Sequence, residues 1–125
     1  MKRAIICGII VIVLVAAGII SYFYTDRVTR EIGESISRVS ESYERGDFEA
    51  AKSLSAETAK SWEHYLAAHI FVSDKEHALE ITLSLLRIKA LAEEKSEELK
   101  EECIAAIYLV GLYRENQQVN LANIF

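Results

Sequence analysis

Three histidines are the side chains in this chain most suited to chemistry: His64, His69 and His77, with Glu63, Asp74, Glu76 and Glu80 close by in sequence. Imidazole nitrogens beside carboxylates are the ligands zinc takes, so a metal site would be sought here. His64 and His69 are five residues apart, which on one helix separates them by about 140° and prevents joint ligation. His69 and His77 make the better candidate pair, because a short turn between two helices can bring the end of one near the start of the next. The plainer reading is of turn histidines, partly exposed, with one satisfied in the core. We therefore assign no metal and no other cofactor.

Glu93, Glu94, Glu97, Glu98, Glu101 and Glu102 place carboxylates at i, i+4 spacing. They lack the glycine and the alternating Asp or Asn ligands of a calcium loop, so a solvated helix face is the reading. Trp62, Tyr65 and Phe71, with Tyr43 and Tyr108, could line an apolar pocket, but aromatics at helical spacing are read first as core. No serine sits in a Gly-x-Ser-x-Gly context, and Cys103 has an apolar neighbourhood with no histidine near it in sequence. Glycine-rich phosphate loops, Cys-x-x-Cys-His and paired zinc cysteines do not occur. The expected activity is non-catalytic.

The elements that position these residues begin with residues 4–24, which carry no charge, proline or amide side chain. As a helix at about 1.5 Å per residue this run spans about 31 Å, matching the hydrocarbon core of a bilayer. It predicts a membrane anchor in contact with lipid. Lys2 and Arg3 precede it, whereas Arg27 and Arg30 are accompanied by Asp26 and Glu31. The basic flank thus places residues 1–3 in the cytoplasm and the rest outside, a single-pass signal anchor in the cell membrane. A cleaved signal peptide is the rival, with Val15, Ala16 and Ala17 as its small-residue site, but the apolar run continues well past that point. A lipoprotein signal fits worse, since Cys7 lies too early and follows Ile6.

Beyond the anchor about 100 residues remain, enough for one small domain. With Lys2 and Arg3 set aside, twelve basic residues face nineteen acidic ones, a net charge of −7. That balance opposes nucleic acid and anionic lipid headgroups. Cys7 and Cys103 fall in the anchor and in an apolar helical pattern, so both are expected as free, buried thiols.

The predicted fold is all-α: an N-terminal transmembrane helix continuing into an antiparallel bundle of three to four helices. Val28, Ile32, Ile36, Val39 and Tyr43 form the stripe of a first soluble helix, unbroken from the anchor, so a single rod over residues 3–45 is expected. Gly33 is its weakest point. Gly46 and Asp47 suit a left-handed helix end and the N-cap of a second helix over residues 48–71. Its inward stripe is Ala51, Leu54, Thr58, Trp62, Tyr65, Leu66, His69 and Ile70. Ser73 with Glu76 fits a capping box for a third helix. Its apolar residues, Leu79 to Leu91, spread over more than one face and make it the expected centre of the core. Ser96 is the predicted N-cap of a fourth helix ending near Arg114. The amide-rich residues 117–125 read as an irregular tail that packs on the bundle of residues 25–116 through Leu121, Ile124 and Phe125.

Several motifs carry a family resemblance over the full length: the Met1-Lys2-Arg3 start with its apolar run, Gly46-Asp47-Phe48 with Ala50-Ala51-Lys52, and Trp62-Glu63-His64. The more specific are Ser84-Leu85-Leu86-Arg87-Ile88-Lys89 and Asn120-Leu121-Ala122-Asn123-Ile124-Phe125. On these residues the chain resembles the bacterial family called domain of unknown function 4363. The resemblance implies membrane attachment and a helical fold and supplies no activity. This chain has Asp74-Lys75 where the family often carries Asp-His, which removes the resemblance as support for a ligand role of His77.

Two functions follow as expectations. The first is a membrane-anchored, extracytoplasmic protein-interaction module with a membrane or envelope protein as partner, Trp62, His64, Leu121, Ile124 and Phe125 being candidate surface residues. The alternative is a sensor or ligand-binding module that passes a shift along the first helix to a membrane partner, residues 1–3 being too few for an output of their own.

Overall fold

A computed structural model describes residues 1–69 and 74–124, the side chains of 120–124 excepted. Four helices follow one another: α1 (Lys2–Glu44), α2 (Phe48–Ala68), α3 (Lys75–Glu94) and α4 (Leu99–Ile124). α1 packs against α2 and α4, and α3 packs against the same two from the opposite side. The result is an antiparallel four-helix bundle closed into a ring.

α1 is one unbroken helix, as the sequence predicts, and Gly33 stays within it. Its buried line is Gly18, Ser21, Thr25, Thr29, Ile32, Ile36, Val39 and Ser42, at spacings of three and four that hold one side of a helix toward its neighbours. Below Gly18 the helix stands apart from the rest of the chain, and residues 9–14 are exposed on every side. Among the described residues α1 is the one helix long and apolar enough to cross a membrane.

The first hairpin forms as predicted. Gly46 adopts φ +76°, its N–H bonds Tyr43 O at 3.0 Å and Asp47 N–H bonds Ser42 O at 2.9 Å, closing the end of α1. Asp47 Oδ1 then accepts from Ala50 N–H at 3.2 Å and caps α2. At the second hairpin Lys95 takes the left-handed position, φ 56°, where an L side chain costs roughly 1–2 kcal/mol. Tyr43 Oη donates to its carbonyl at 3.2 Å, and its ammonium lies 5.4 Å from the Phe48 ring centre.

Four expectations need correction. α2 ends at Ala68 rather than Phe71, with His69 as an extended C-cap; Ile70, Phe71 and Ser73 lie outside the described residues. The cap of α3 is Asp74, whose side chain accepts from His77 N–H, so the Ser73–Glu76 capping box is not the start of the helix. α3 is not the centre of the core: its Leu79, Leu83 and Leu86 face outward, and the ring arrangement leaves no helix central. Residues 117–124 are not an irregular tail, because α4 continues through Ile124.

The cause of that last difference is visible in three consecutive amides, each with tertiary work. Asn116 Nδ2 donates to Asp74 Oδ2 at 3.1 Å, Gln117 is fully buried, and Gln118 Nε2 donates to Asp26 Oδ1 at 3.1 Å. α4 thereby ties the start of α3 to α1.

Candidate functional site

Ser21 and Thr25 lie one turn apart on the buried line of α1. Tyr65 in the last turns of α2 and His69, the extended residue that caps it, face them, and Tyr113 closes the group from α4. Thr25 Oγ1 is 2.9 Å from His69 Nε2 and 2.9 Å from Tyr65 Oη. Tyr65 Oη is in turn 2.9 Å from Tyr113 Oη, and Ser21 Oγ is 3.2 Å from His69 Nε2. All five residues are buried. A continuous hydrogen-bonded path thus crosses the bundle from α1 through α2 to α4.

Aromatic packing fixes the members of this path. Trp62 stacks on Tyr65 with ring centres 5.2 Å apart, Tyr113 meets Trp62 edge-on at 5.3 Å, and Tyr24 meets His69 edge-on at 6.1 Å. The Trp62 indole N–H donates to Thr82 Oγ1 at 2.9 Å, linking α2 to α3. Among the described residues no buried side-chain nitrogen or oxygen is left unbonded, the condition a polar core must meet to be stable.

Electrostatics follow from burial. Desolvation lowers the His69 pKa, favouring the neutral ring. It also raises the Tyr65 pKa, against the opposing bonds from Thr25 and Tyr113, and raises that of Tyr113. The path is a set of neutral hydroxyls and one neutral imidazole. Its chemistry is to hold helices in register.

His77 has different company. Its Nδ1 lies 2.8 Å from Asp74 Oδ2, and this hydrogen bond is the main cause of its raised pKa. Burial works against the Asp74 carboxylate, but bonds from Asn116 and His77 outweigh it and hold its pKa low. His69 and His77 are therefore engaged with different partners, on α1 and at the cap of α3. Among the described residues no group of three or more His, Cys, Asp and Glu is placed to hold a metal ion.

The candidate surface residues separate. His64 is exposed and lines an open groove of about 990 Å³ between α1 and α2, with Arg27, Arg38, Lys60, Glu31 and Glu57. Trp62 is 0% exposed, so it is core and not surface; its size and apolarity are used within the bundle. Leu121 and Ile124 belong to the last turns of α4, their side chains and Phe125 lying outside the described residues. Tyr108 projects outward, away from the aromatic group it was read with. Cys7 and Cys103 are both free thiols; Cys103 is buried, but Cys7, expected to be buried as well, is exposed on the part of α1 that stands apart from the bundle. Burial pushes Cys103 up to about 11.

Sequence reasoning missed Ser21, Thr25 and Tyr113 as members of one hydrogen-bonded path, and missed the burial of Gln117. The signal was present in part: Ser21, Thr25 and Thr29 continue the Ile32, Ile36, Val39 stripe backward at helical spacing. A family model described as Domain of unknown function (DUF4363) matches residues 19–124. No curated protein and no solved structure matches the chain.

Proposed function

The chain belongs to the domain of unknown function 4363 family. We propose that it is a membrane-anchored helical bundle that works by protein interaction rather than catalysis. The observation that carries this reading is the change along α1. Residues 9–14 are bare all round, whereas from Gly18 onward one side of the same helix is built into the bundle. A large apolar side chain left in water forgoes about 1.5–3 kcal/mol of burial free energy. Ile5 to Leu14 repeat that many times, and insertion in lipid recovers it. The matched family segment starts at residue 19, where the bundle starts. In this reading the apolar run of residues 4–24 crosses the cell membrane once, with Lys2 and Arg3 on the cytoplasmic side and the bundle, which begins on the last turns of that run at Gly18 and Ser21, on the outer side.

Interaction is favoured over chemistry because three of the reactive groups, His69, His77 and Cys103, are occupied structurally. His69 bonds Ser21 and Thr25, His77 bonds the cap of α3, and the Cys103 thiol is buried and protonated. Alkaline carbonate should leave the full-length protein in the membrane pellet, and a cysteine placed at exposed Glu49 should react with an impermeant maleimide in intact cells. Release by carbonate, or labelling only after lysis, overturns the anchor and its orientation. Cross-linking in membranes should yield a discrete adduct, and consistent recovery of the monomer alone overturns the interaction reading.

The α1–α2 groove favours a second reading, a ligand-binding module acting on a membrane partner through α1. It is open and carries both charge signs. A ligand there should raise the thermal midpoint of the full-length protein, and lose its effect in His64→Ala with Arg38→Ala.

A further inference from the structure

On the face of α3 turned away from the core, Leu79, Leu83 and Leu86 are 60%, 48% and 45% exposed, and exposed Ala90 continues the line. Their spacings of four, three and four are those of a coiled-coil seam, with Leu79 and Leu86 at d positions and Leu83 and Ala90 at a positions. The core face of the same helix is a separate set, Ala78, Ile81, Leu85, Ile88 and Ala92. α3 is therefore apolar on two opposite sides, only one of which the bundle covers. Three leucines in one row differ from scattered surface apolar residues, which need no explanation.

The flanking charges say what covers the row. In this register Lys75 and Lys89 are g positions, and Glu80 and Glu94 are e positions, all four exposed; the remaining charged flank residue, Arg87 at e, is paired with Glu102 of its own chain at 3.7 Å. None of the four makes an ion pair within the chain among the described residues. In a parallel pair of helices each g residue faces the e residue five positions further along the partner, so Lys75 would meet Glu80 and Lys89 would meet Glu94 of a second copy. Symmetry doubles this to four complementary contacts. An antiparallel pair sets g against g and turns Lys75 toward Lys89. Glu76 and Glu93 continue the a and d positions at either end, and like charges there limit the seam to Leu79 through Ala90.

We propose that the α3 outer face is a homodimer interface, pairing α3 with α3 of a second copy in parallel. The inference deepens the anchored interaction reading and rests on it. With α1 continuous from the anchor into the bundle, two copies in one membrane hold their α3 helices pointing the same way, the orientation that the charges select. The symmetric contact is isologous and closes at two copies.

The test uses the full-length chain in membranes with Cys7→Ala, Cys103 remaining because it is buried. Under mild oxidation Ala90→Cys should give a disulfide-linked dimer in roughly ten-fold greater yield than Ile104→Cys, an exposed position on α4. Lys75→Glu with Lys89→Glu should lower that yield roughly ten-fold, and adding Glu80→Lys with Glu94→Lys should restore it. Equal yields from Ala90→Cys and Ile104→Cys overturn the proposal, and so does preferential linkage of Leu79→Cys chains to Ala90→Cys chains, the antiparallel outcome. If Ala90→Cys stays monomeric while the protein resists carbonate and cross-links to another protein, the dimer fails and the interaction reading stands. If carbonate releases the protein, the anchor itself fails.

Discussion

Thr25 Oγ1 of α1 and His69 Nε2 of α2 meet at 2.9 Å inside the bundle, one residue past the apolar run of α1. Because the same hydroxyl also reaches Tyr65 Oη at 2.9 Å, one side chain joins α1 both to α2 and to the residue that caps its end. Thr25→Val keeps the shape and removes the link. It should cost about 1–3 kcal/mol, the penalty for leaving buried polar groups under-bonded. Denaturant unfolding of the full-length protein in detergent measures it, and a cycle with Tyr65→Phe should be non-additive by at least about 0.5 kcal/mol.

The two engaged histidines should give stability opposite responses to pH. Burial lowers the His69 pKa from 6.5, so its contribution is fully present above the unfolded value and is lost as pH falls through the folded one. The Asp74 bond raises the His77 pKa from the same value. Its contribution is complete below about 6.5 and is lost as pH rises through the folded value. Thermal midpoints against pH should show His69→Gln flattening the acidic side and His77→Asn lowering the midpoint on the acidic side alone.

Asp74 and Asp47 are both N-caps, yet removing them should not be equivalent. Asp47→Ala loses one exposed capping bond and should cost about 1 kcal/mol. Asp74→Ala also removes the acceptor of Asn116 and the partner of His77 and should cost about 2–3 kcal/mol by the same unfolding assay. Equal losses would show that α4 does not brace the start of α3.

Val119→Pro distinguishes a helix from an irregular segment at the end of the chain. In the interior of α4 it should cost about 3 kcal/mol. Hydrogen exchange should quicken from residue 115 onward.

Two glycines should respond in opposite directions to alanine. Gly46 sits at φ +76° with open space where a methyl would stand, so the cost of Gly46→Ala is conformational, about 1 kcal/mol. Gly33 is helical with equal room, and Gly33→Ala should stabilise by about 0.5–1 kcal/mol. Denaturant midpoints of the two variants against the parent protein check both signs.

What was legible in the chain was what local rules decide. The Gly46–Asp47 turn carries its own signal, since one residue tolerates positive φ and the next accepts an amide bond. The stripe of Ile32, Ile36 and Val39 shows which side of α1 is inside. The start of α3 misled because Ser73 with Glu76 and Asp74 with His77 are both plausible caps locally. Asp74 has the further advantage of Asn116, which reaches it from α4. Leu79, Leu83 and Leu86 misled in another way, since apolar residues on two sides of a helix read as deep burial when one side is left uncovered by the bundle.

By itself the sequence determined an all-α chain, a continuous first helix and an apolar first half of that helix, because period, turn chemistry and unbroken apolarity act over a few residues and need no distant partner. Only the tertiary structure decided that Asn116, Gln117 and Gln118 prolong a helix instead of ending one, and that Ser21, Thr25, Tyr65, His69 and Tyr113 form one path. The reason is common to both. An amide or hydroxyl signals a helix end or a wet surface when water is its partner, and a buried link when another helix supplies one, and which of the two it meets is set by packing between residues far apart in the chain.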